Sequence, residues 1–208
     1  MSTAREEILR RIRAAVDDAP PAEAIPRAYR RGGAAADLEL LRERLADYRA
    51  EVRRLPRDGL RAAIEDVCRE RGASRIAVPS GLPVEWRPRA LDVVEDHGLS
   101  HLDLDRVDGV VTGCTLAIAE TGTLVLAAGA TEGRRVLTLL PDLHVCVVGE
   151  EQVVDGVPAA LARLDELVKR ERRPLTLVSG PSATSDIELS RVEGVHGPRQ
   201  LVVLIVER

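Results

Sequence analysis

The chain has 208 residues, with 34 acidic and 30 basic side chains and a net charge of −4 at pH 7. This length fits one domain with an N-terminal arm, and the excess of acid argues against a nucleic-acid partner, whose phosphates would repel it. With one Trp, two Tyr and no Phe, the core must consist of Leu, Val, Ile and Ala, which suits helices packed on a parallel sheet.

The three cysteines, Cys68, Cys114 and Cys146, lie far apart in the sequence. No pair has the spacing of about two to four residues that is typical of zinc or iron–sulfur sites. We therefore predict buried, reduced thiols, no metal site and no cofactor. The N-terminus lacks the apolar segment of a signal peptide, and no apolar run approaches the roughly 20 residues of a transmembrane helix, so we expect a cytoplasmic protein without a membrane span.

The first predicted element is a helix that starts after Thr3, where Glu6 completes a capping box. Its apolar stripe consists of Ile8, Leu9, Ile12 and Val16. The following segment, 17–33, is rich in Pro and Gly and predicts a linker. We therefore divide the chain into an arm of residues 1–33 and an α/β domain of residues 34–208.

The domain shows helices and strands in alternation. Amphipathic spacing predicts helices over 37–55, 58–71 and 158–170, a short helix or turn over 89–96 and a short helix over 134–140. Apolar runs predict strands over 75–79, 107–112, 123–128, 144–148, 174–178 and 200–206; those over 174–178 and 200–206 are expected to be buried. This order predicts an α/β fold, a three-layer α/β/α sandwich with a mostly parallel sheet.

A tight turn at 119–123 carries Glu120 between two apolar runs. Gly122 would let the backbone approach a ligand, and Thr121 and Thr123 supply hydroxyl donors. Glu120 could serve as nucleophile, base or hydrogen-bond acceptor. The alternative is a plain hairpin turn with an exposed Glu.

Two further places carry charge. In the Gly-flanked segment 129–135, Arg134 and free N–H groups could meet a carboxylate or phosphate; the alternative is a helix cap with a solvated Arg. No G-x-G-x-x-G pattern or Walker lysine is present. His144 follows Pro141-Asp142-Leu143 at the start of a strand, and such a histidine is either a ligand-binding or a structural residue.

The densest group of reactive side chains lies at 179–188 and 194–198, between two apolar runs. Ser185 and Glu188 have capping-box spacing, so a helical turn could aim hydroxyls and amides at one anion; the alternative is a self-capping loop. His196 lies on the return loop and could act as a general acid or base. The candidate ligand-binding residues here are Ser179, Gly180, Ser182, Thr184, Asp186 and Glu188.

Together these motifs resemble the LUD-domain family, in particular its LutC/YkgG lactate-utilisation proteins. The resemblance runs from the first helix to the last strand, and its most specific part is the serine-rich segment with its Gly-Val-His-Gly-Pro return. The matching segments are 8–13, 119–123, 134–135, 140–144, 179–188 and 194–198. Ser185 stands where we expect Ala in many relatives.

The resemblance implies a fold similar to the NagB/RpiA/CoA-transferase-like group. It also implies that the chain is a non-redox component of a three-part system that oxidises L-lactate to pyruvate. The two other members of that system carry iron–sulfur clusters and would be the partners of this chain. A small anion would be its ligand. The cysteine spacing agrees, because this chain does not resemble a cluster carrier. The alternative is a stand-alone enzyme, either CoA-transferase-like with Glu120 as nucleophile or isomerase-like with Glu120 or His196 as base.

Overall fold

A computed structural model describes residues 3–17, 24–26, 28, 36–184, 192–193 and 196–207. The chain divides into two compact units, Met1–Arg30 and Arg31–Arg208; the boundary proposed at residue 33 stays a prediction. In the first unit, helix α1 (Ala4–Val16) begins at the expected capping box between Thr3 and Glu6. Among the described residues, no helix combines the length and the apolar character that crossing a bilayer requires.

The second unit contains the remaining elements. Its helices are α2 (Leu38–Asp47), α3 (Leu60–Glu70), α4 (His101–Leu104) and α5 (Val157–Glu171). Its strands are β1 (Glu51–Leu55), β2 (Arg75–Pro79), β3 (Asp92–Asp96), β4 (Gly109–Thr112), β5 (Leu116–Ile118), β6 (Thr123–Leu126), β7 (Leu143–Gly149), β8 (Val153–Val154), β9 (Thr176–Val178), β10 (Ala183–Thr184), β11 (Val192–Glu193) and β12 (Gln200–Val206).

Six strands form one parallel sheet in the order β1-β12-β7-β4-β2-β3. The central strands β7 and β12 are almost fully buried, as near-continuous apolar runs in parallel sheets usually are. Because all six strands are parallel, their carboxyl ends share one edge of the sheet. The predicted α/β fold with a mostly parallel sheet is confirmed.

A second sheet, in the order β8-β5-β6-β9, packs on one face of the first. Helix α3 covers the opposite face of the parallel sheet. Helix α2 packs on the same face as the second sheet, around Leu124 and Val203. Helix α5 covers the outer side of the second sheet through Ala160 and Leu164. The fold therefore has an additional layer, the small sheet. The alternation of helices and strands along the sequence does not predict this layer.

The helix predicted over 37–55 is wrong in its second half. Helix α2 ends at Asp47, and the chain then forms strand β1. Arg49 adopts a left-handed conformation, with φ of 67°, and the N–H groups of Arg49 and Ala50 donate to the carbonyls of Ala46 and Leu45. This is the Schellman pattern that ends helices, formed here without glycine.

Three other predictions need correction. The helix or turn over 89–96 is instead strand β3, an edge strand that pairs only with β2; its first residue, Asp92, is exposed, while its last, Asp96, is buried. The short helix over 134–140 is a 3-10 helix, Arg135–Thr138. The strand within 174–178 exists as β9, but it is not buried: it forms an edge of the small sheet, and the Leu177 side chain is 64% exposed.

Candidate functional site

The Glu120 turn is an antiparallel hairpin between β5 and β6, in which Ile118 pairs with Thr123. Gly122 has φ of 61°. A Cβ atom there would lie 2.7 Å from Cβ of Arg44 and 3.0 Å from the backbone nitrogen of Leu45 in α2, so only glycine lets the turn pack this closely. The N–H of Glu120 donates to the Asp155 carbonyl, and Glu120 itself is exposed.

Three hydroxyls form a hydrogen-bonded chain beside this turn. The Oγ1 atoms of Thr121 and Thr123 are 2.8 Å apart, and Thr123 Oγ1 lies 2.8 Å from Ser179 Oγ. The antiparallel register of β6 and β9, in which Leu124 faces Val178, brings Ser179 to Thr123. When three hydroxyls donate in sequence, two O–H groups are used and the third remains free for an outside acceptor.

The Ser179 loop is fixed at two further points. Gly180, with φ of 86°, packs directly on Tyr48, the C-cap of α2. Gly122 and Gly180 therefore seat two separate loops on the same end of one helix. Beyond the glycine, the Ser182 N–H donates to the Pro198 carbonyl at 2.8 Å.

The return loop contacts this segment through its backbone. The His196 N–H donates to Ser182 Oγ at 3.0 Å, which leaves the Ser182 O–H able to donate elsewhere. The His196 residue is exposed. We call Thr121, Thr123 and Ser179 the hydroxyl cluster; Ser182, three residues further along the same loop, connects that loop to the return loop.

The remaining residues of the serine-rich segment are described only in part. The backbone of Thr184 belongs to β10, which pairs with β11. Asp186 and Glu188 lie outside the described residues, as does the predicted capping box of Ser185 and Glu188. Their assignment to the site stays a prediction.

Arg134 lies elsewhere, at the carboxyl end of β3. Its guanidinium donates to both carboxylate oxygens of Asp96, at 2.8 and 2.6 Å, and to the Leu99 carbonyl at 3.0 Å. These bonds lower the pKa of the buried Asp96 carboxyl below its ordinary value. The return loop precedes the amino end of β12, so Arg134 and the His196 loop lie at opposite edges of the parallel sheet.

His144 lies inside the core. Its side chain is 1% exposed, and Nε2 lies 2.8 Å from Thr112 Oγ1. Nδ1 is buried and has no hydrogen-bond partner among the described residues. The structure thus places His144 between the two sheets. Within the described ranges, no three His, Cys, Asp or Glu side chains are placed to bind one metal ion.

Sequence reasoning missed the role of Glu132. This carboxylate is 4% exposed and accepts hydrogen bonds from the Thr115 hydroxyl at 2.6 Å and from the N–H groups of Ala127 and Gly129 at 2.9 and 2.7 Å. It therefore fixes the loop that follows β6. The available signal was a glutamate placed close to glycines on both sides, Gly129 and Gly133.

Comparisons with known proteins agree with the motifs. The LUD domain family model matches residues 38–206. A protein named lactate utilization protein C from Deinococcus radiodurans is 48% identical over 174 residues, which cover 81% of this chain and 79% of that protein. A second protein of that name, from Halalkalibacterium halodurans, is 27% identical and covers 82% of this chain and 79% of its own length.

A solved structure has the same fold. The crystal structure of a DUF162 family protein from Deinococcus radiodurans superimposes with a TM-score of 0.70 at 39% sequence identity, covering 81% of this chain and 95% of that one. The family match spans both sheets and reaches from α2 to the last strand. The chain therefore belongs to the LUD domain family.

Proposed function

We propose that this chain is the non-redox component of an iron–sulfur-dependent system that oxidises L-lactate to pyruvate, and that it binds a small anion, partner subunits, or both. The observation that carries this proposal is its 48% identity to lactate utilization protein C over 81% of its length. The family motifs at Thr121–Thr123 and at Ser179–Ser182 meet in the hydroxyl cluster, which supports a shared role for them.

The cysteines support assigning electron transfer to partners. Iron–sulfur clusters are generally held by four cysteine thiolates, whereas this chain has three cysteines. Cys68 packs in the core under α3, while Cys114 and Cys146 lie in the core on the other side of the parallel sheet. The two electrons released when a 2-hydroxy acid becomes a 2-oxo acid would thus pass to clusters in other subunits.

The hydroxyl cluster supports binding of a carboxylate. Either hydroxyl of each pair can be the donor. When the chain donates from Thr121 towards Ser179, the free O–H belongs to Ser179, which is exposed and can donate to an anion from solvent. In the same loop, the Ser182 oxygen accepts from His196 N–H and its O–H stays able to donate. Hydrogen bonds to an ionised carboxylate are stronger than those between neutral groups.

The test combines binding with reconstitution. We expect calorimetric heat when the purified chain is titrated with L-lactate or pyruvate, and a loss of affinity of about tenfold for Ser179→Ala, as when one hydrogen bond to a charged group is lost. We also expect lactate-dependent reduction of an electron acceptor by the iron–sulfur subunits to require this chain. Full activity of those subunits without it would refute the assignment.

A second candidate function is a stand-alone CoA-transferase-like or isomerase-like enzyme. It is favoured by Glu120, an exposed carboxylate on a turn held against α2 and next to the hydroxyl cluster. Such an enzyme would use Glu120 as nucleophile or base. This function predicts turnover of an acyl-CoA or sugar phosphate by the isolated chain, and loss of that turnover in Glu120→Gln with an unchanged melting temperature.

A further inference from the structure

The small sheet has an open edge at β9. Among the described residues, β9 pairs only with β6, and the Leu177 side chain at its centre is 64% exposed. Leu175 packs in the core under α5, whereas Val178 packs in the core between the sheets. Side chains alternate along a strand, so Leu177 projects on the same side as Leu175, the side of α5.

The backbone of Leu177 also faces the open edge. In an antiparallel pair, directly opposite residues alternate between those that exchange both backbone hydrogen bonds and those whose groups point away from each other. The Val125 carbonyl accepts from the N–H of Thr115, which precedes β5, so the groups of Val125 point away from β9. Leu177 is opposite Val125, and its N–H and C=O therefore point away from β6, into the open edge.

The other edges of the two larger sheets are protected against pairing. Strand β3 carries three acidic residues, and β1 carries Arg53 and Arg54, which form ion pairs with Glu51 and Glu150. Strand β8, at the other edge of the small sheet, is buried. Charge and cover are usual means by which edge strands avoid other strands. Strand β9 has an exposed leucine at its centre and no charged residue.

We propose that β9 is a dimerisation strand, which pairs antiparallel with β9 of a second copy of this chain about a two-fold axis at Leu177. The outward N–H and C=O of Leu177 exchange two hydrogen bonds with those of the second Leu177. The two leucine side chains lie on one face with their Cα atoms about 5.5 Å apart, so they contact each other. The proposal does not depend on the proposed function.

Charges at the two ends of β9 favour a second copy in this orientation. Arg172 is exposed and precedes β9. Glu120 is exposed on the turn whose hydroxyls connect to Ser179, at the other end of β9. Antiparallel pairing places the basic end of one copy on the side of the acidic end of the other, twice by symmetry. Complementary charges of this kind fix the register of an interface.

The exposed side of α5 enlarges the apolar surface beside Leu177. Val157, Leu161 and Val168 are exposed and lie on the side of the helix away from Arg163, which donates to the Glu151 carbonyl just before β8. That side of α5 therefore faces β9. Short strands and a part of this surface bury little area, at or below about 1,200 Å² in total. We therefore expect a reversible dimer with a dissociation constant in the micromolar range.

The dimer would involve the candidate site of both copies. In a pairing centred on Leu177, Ser179 of one copy lies opposite Leu175 of the other, because both are two residues from the axis. Ser179 belongs to the hydroxyl cluster, so the two clusters would lie on either side of the axis, each next to a strand of the other copy.

Sedimentation velocity of the full-length chain over a concentration series tests the proposal. The wild type should change from monomer to dimer. Leu177→Pro removes an N–H that the single copy does not use, and proline is tolerated at such edge positions, but both hydrogen bonds at the axis are lost. Its dimer dissociation constant should rise by about tenfold or more, with an unchanged circular dichroism spectrum. A wild type that is monomeric at every concentration would overturn the proposal.

Lysine variants decide the same question if Leu177→Pro does not fold. Leu177→Lys places two like charges at the axis and should abolish the dimer. Leu102→Lys is the matched control, because Leu102 is an exposed leucine of α4, and it should dimerise like the wild type. A dimer that the Leu177 variants leave unchanged would show a different interface and overturn the proposal.

Cross-linking locates the axis. The three native cysteines are buried, so a short bismaleimide should join two copies of Leu177→Cys through the introduced thiols. Leu102→Cys should stay uncross-linked at the same concentration. Equal cross-linking of both variants would contradict an axis at Leu177.

Discussion

The hydroxyls of Thr123 and Ser179 lie 2.8 Å apart although 56 residues separate them in the sequence. Their contact follows from the pairing of β6 with β9, the edge strand of the small sheet. The small sheet is thus the element that joins two family motifs, while the parallel sheet supplies the core beneath it. Changes that weaken the β6–β9 pairing should therefore affect both motifs together.

A double-mutant cycle on Thr123 and Ser179 tests this contact. Thr123→Val and Ser179→Ala should each lower the free energy of unfolding, and the double variant should lose about 1 kcal/mol less than the sum, since a single hydrogen bond is removed in either case. Urea unfolding of the four proteins measures this coupling. Strict additivity would mean that the two hydroxyls do not stabilise each other.

The sequence predicted strands well where they are buried on both faces. The run Leu201–Val206 is apolar throughout and forms the buried part of strand β12. The segment Asp92–Asp96 contains three acidic residues, and its sequence predicted a turn or helix. An edge strand needs little apolar surface, so it lacks the apolar run that marks a buried strand. Glu51–Leu55 was absorbed into the preceding helix, since Val52 continues the helical spacing and no glycine marks the end of that helix.

The site was predictable only in part for a related reason. Sequence motifs identified the Thr121–Thr123 turn and the Ser179–Ser182 loop, but their contact depends on strand register, which local patterns do not encode. Arg134 belongs to one of the family motifs. Its partner Asp96, however, lies in strand β3, which the sequence pattern did not predict as a strand.

Gly122 and Gly72 form a matched pair for a second prediction. Both have positive φ, 61° and 68°, but a Cβ atom at Gly72 would meet nothing within 4 Å. Gly72→Ala should therefore cost only the backbone strain, about 1 kcal/mol. Gly122→Ala should cost about 1 to 3 kcal/mol more, because the new methyl group collides with the backbone of α2. Equal losses in denaturant unfolding would show that the turn does not pack on α2 as described.

The Arg134–Asp96 pair predicts how stability changes in acid. Because the pKa of Asp96 is lowered on folding, its stabilising effect is complete above the ordinary aspartate value of about 3.9. It is lost as the pH falls through the lower pKa of the folded state. Below about pH 4, the free energy of unfolding of Asp96→Asn should therefore fall less steeply with decreasing pH than that of the wild type. Asp92→Asn, in the same strand, removes only a solvent-exposed ion pair with Arg75, and because such pairs contribute little the acid limb should change hardly at all; a similar flattening in both variants would contradict the assignment.

Glu132 allows a sharper prediction, because its two oxygens have different partners. One oxygen accepts from the N–H groups of Ala127 and Gly129, and the other accepts from the Thr115 hydroxyl. In Glu132→Gln the amide oxygen can keep the two backbone donors, while the amide nitrogen donates to the Thr115 oxygen after the hydroxyl rotates. The cost should be about 1 kcal/mol, the loss of charge assistance. Glu132→Ala instead leaves the buried N–H of Ala127 and the half-buried N–H of Gly129 unpaired and should cost about 3 kcal/mol or more. Thermal and urea unfolding measure the loss of stability in both variants. If Glu132→Gln loses as much stability as Glu132→Ala, the carboxylate charge, and not the hydrogen-bond pattern, stabilises this loop.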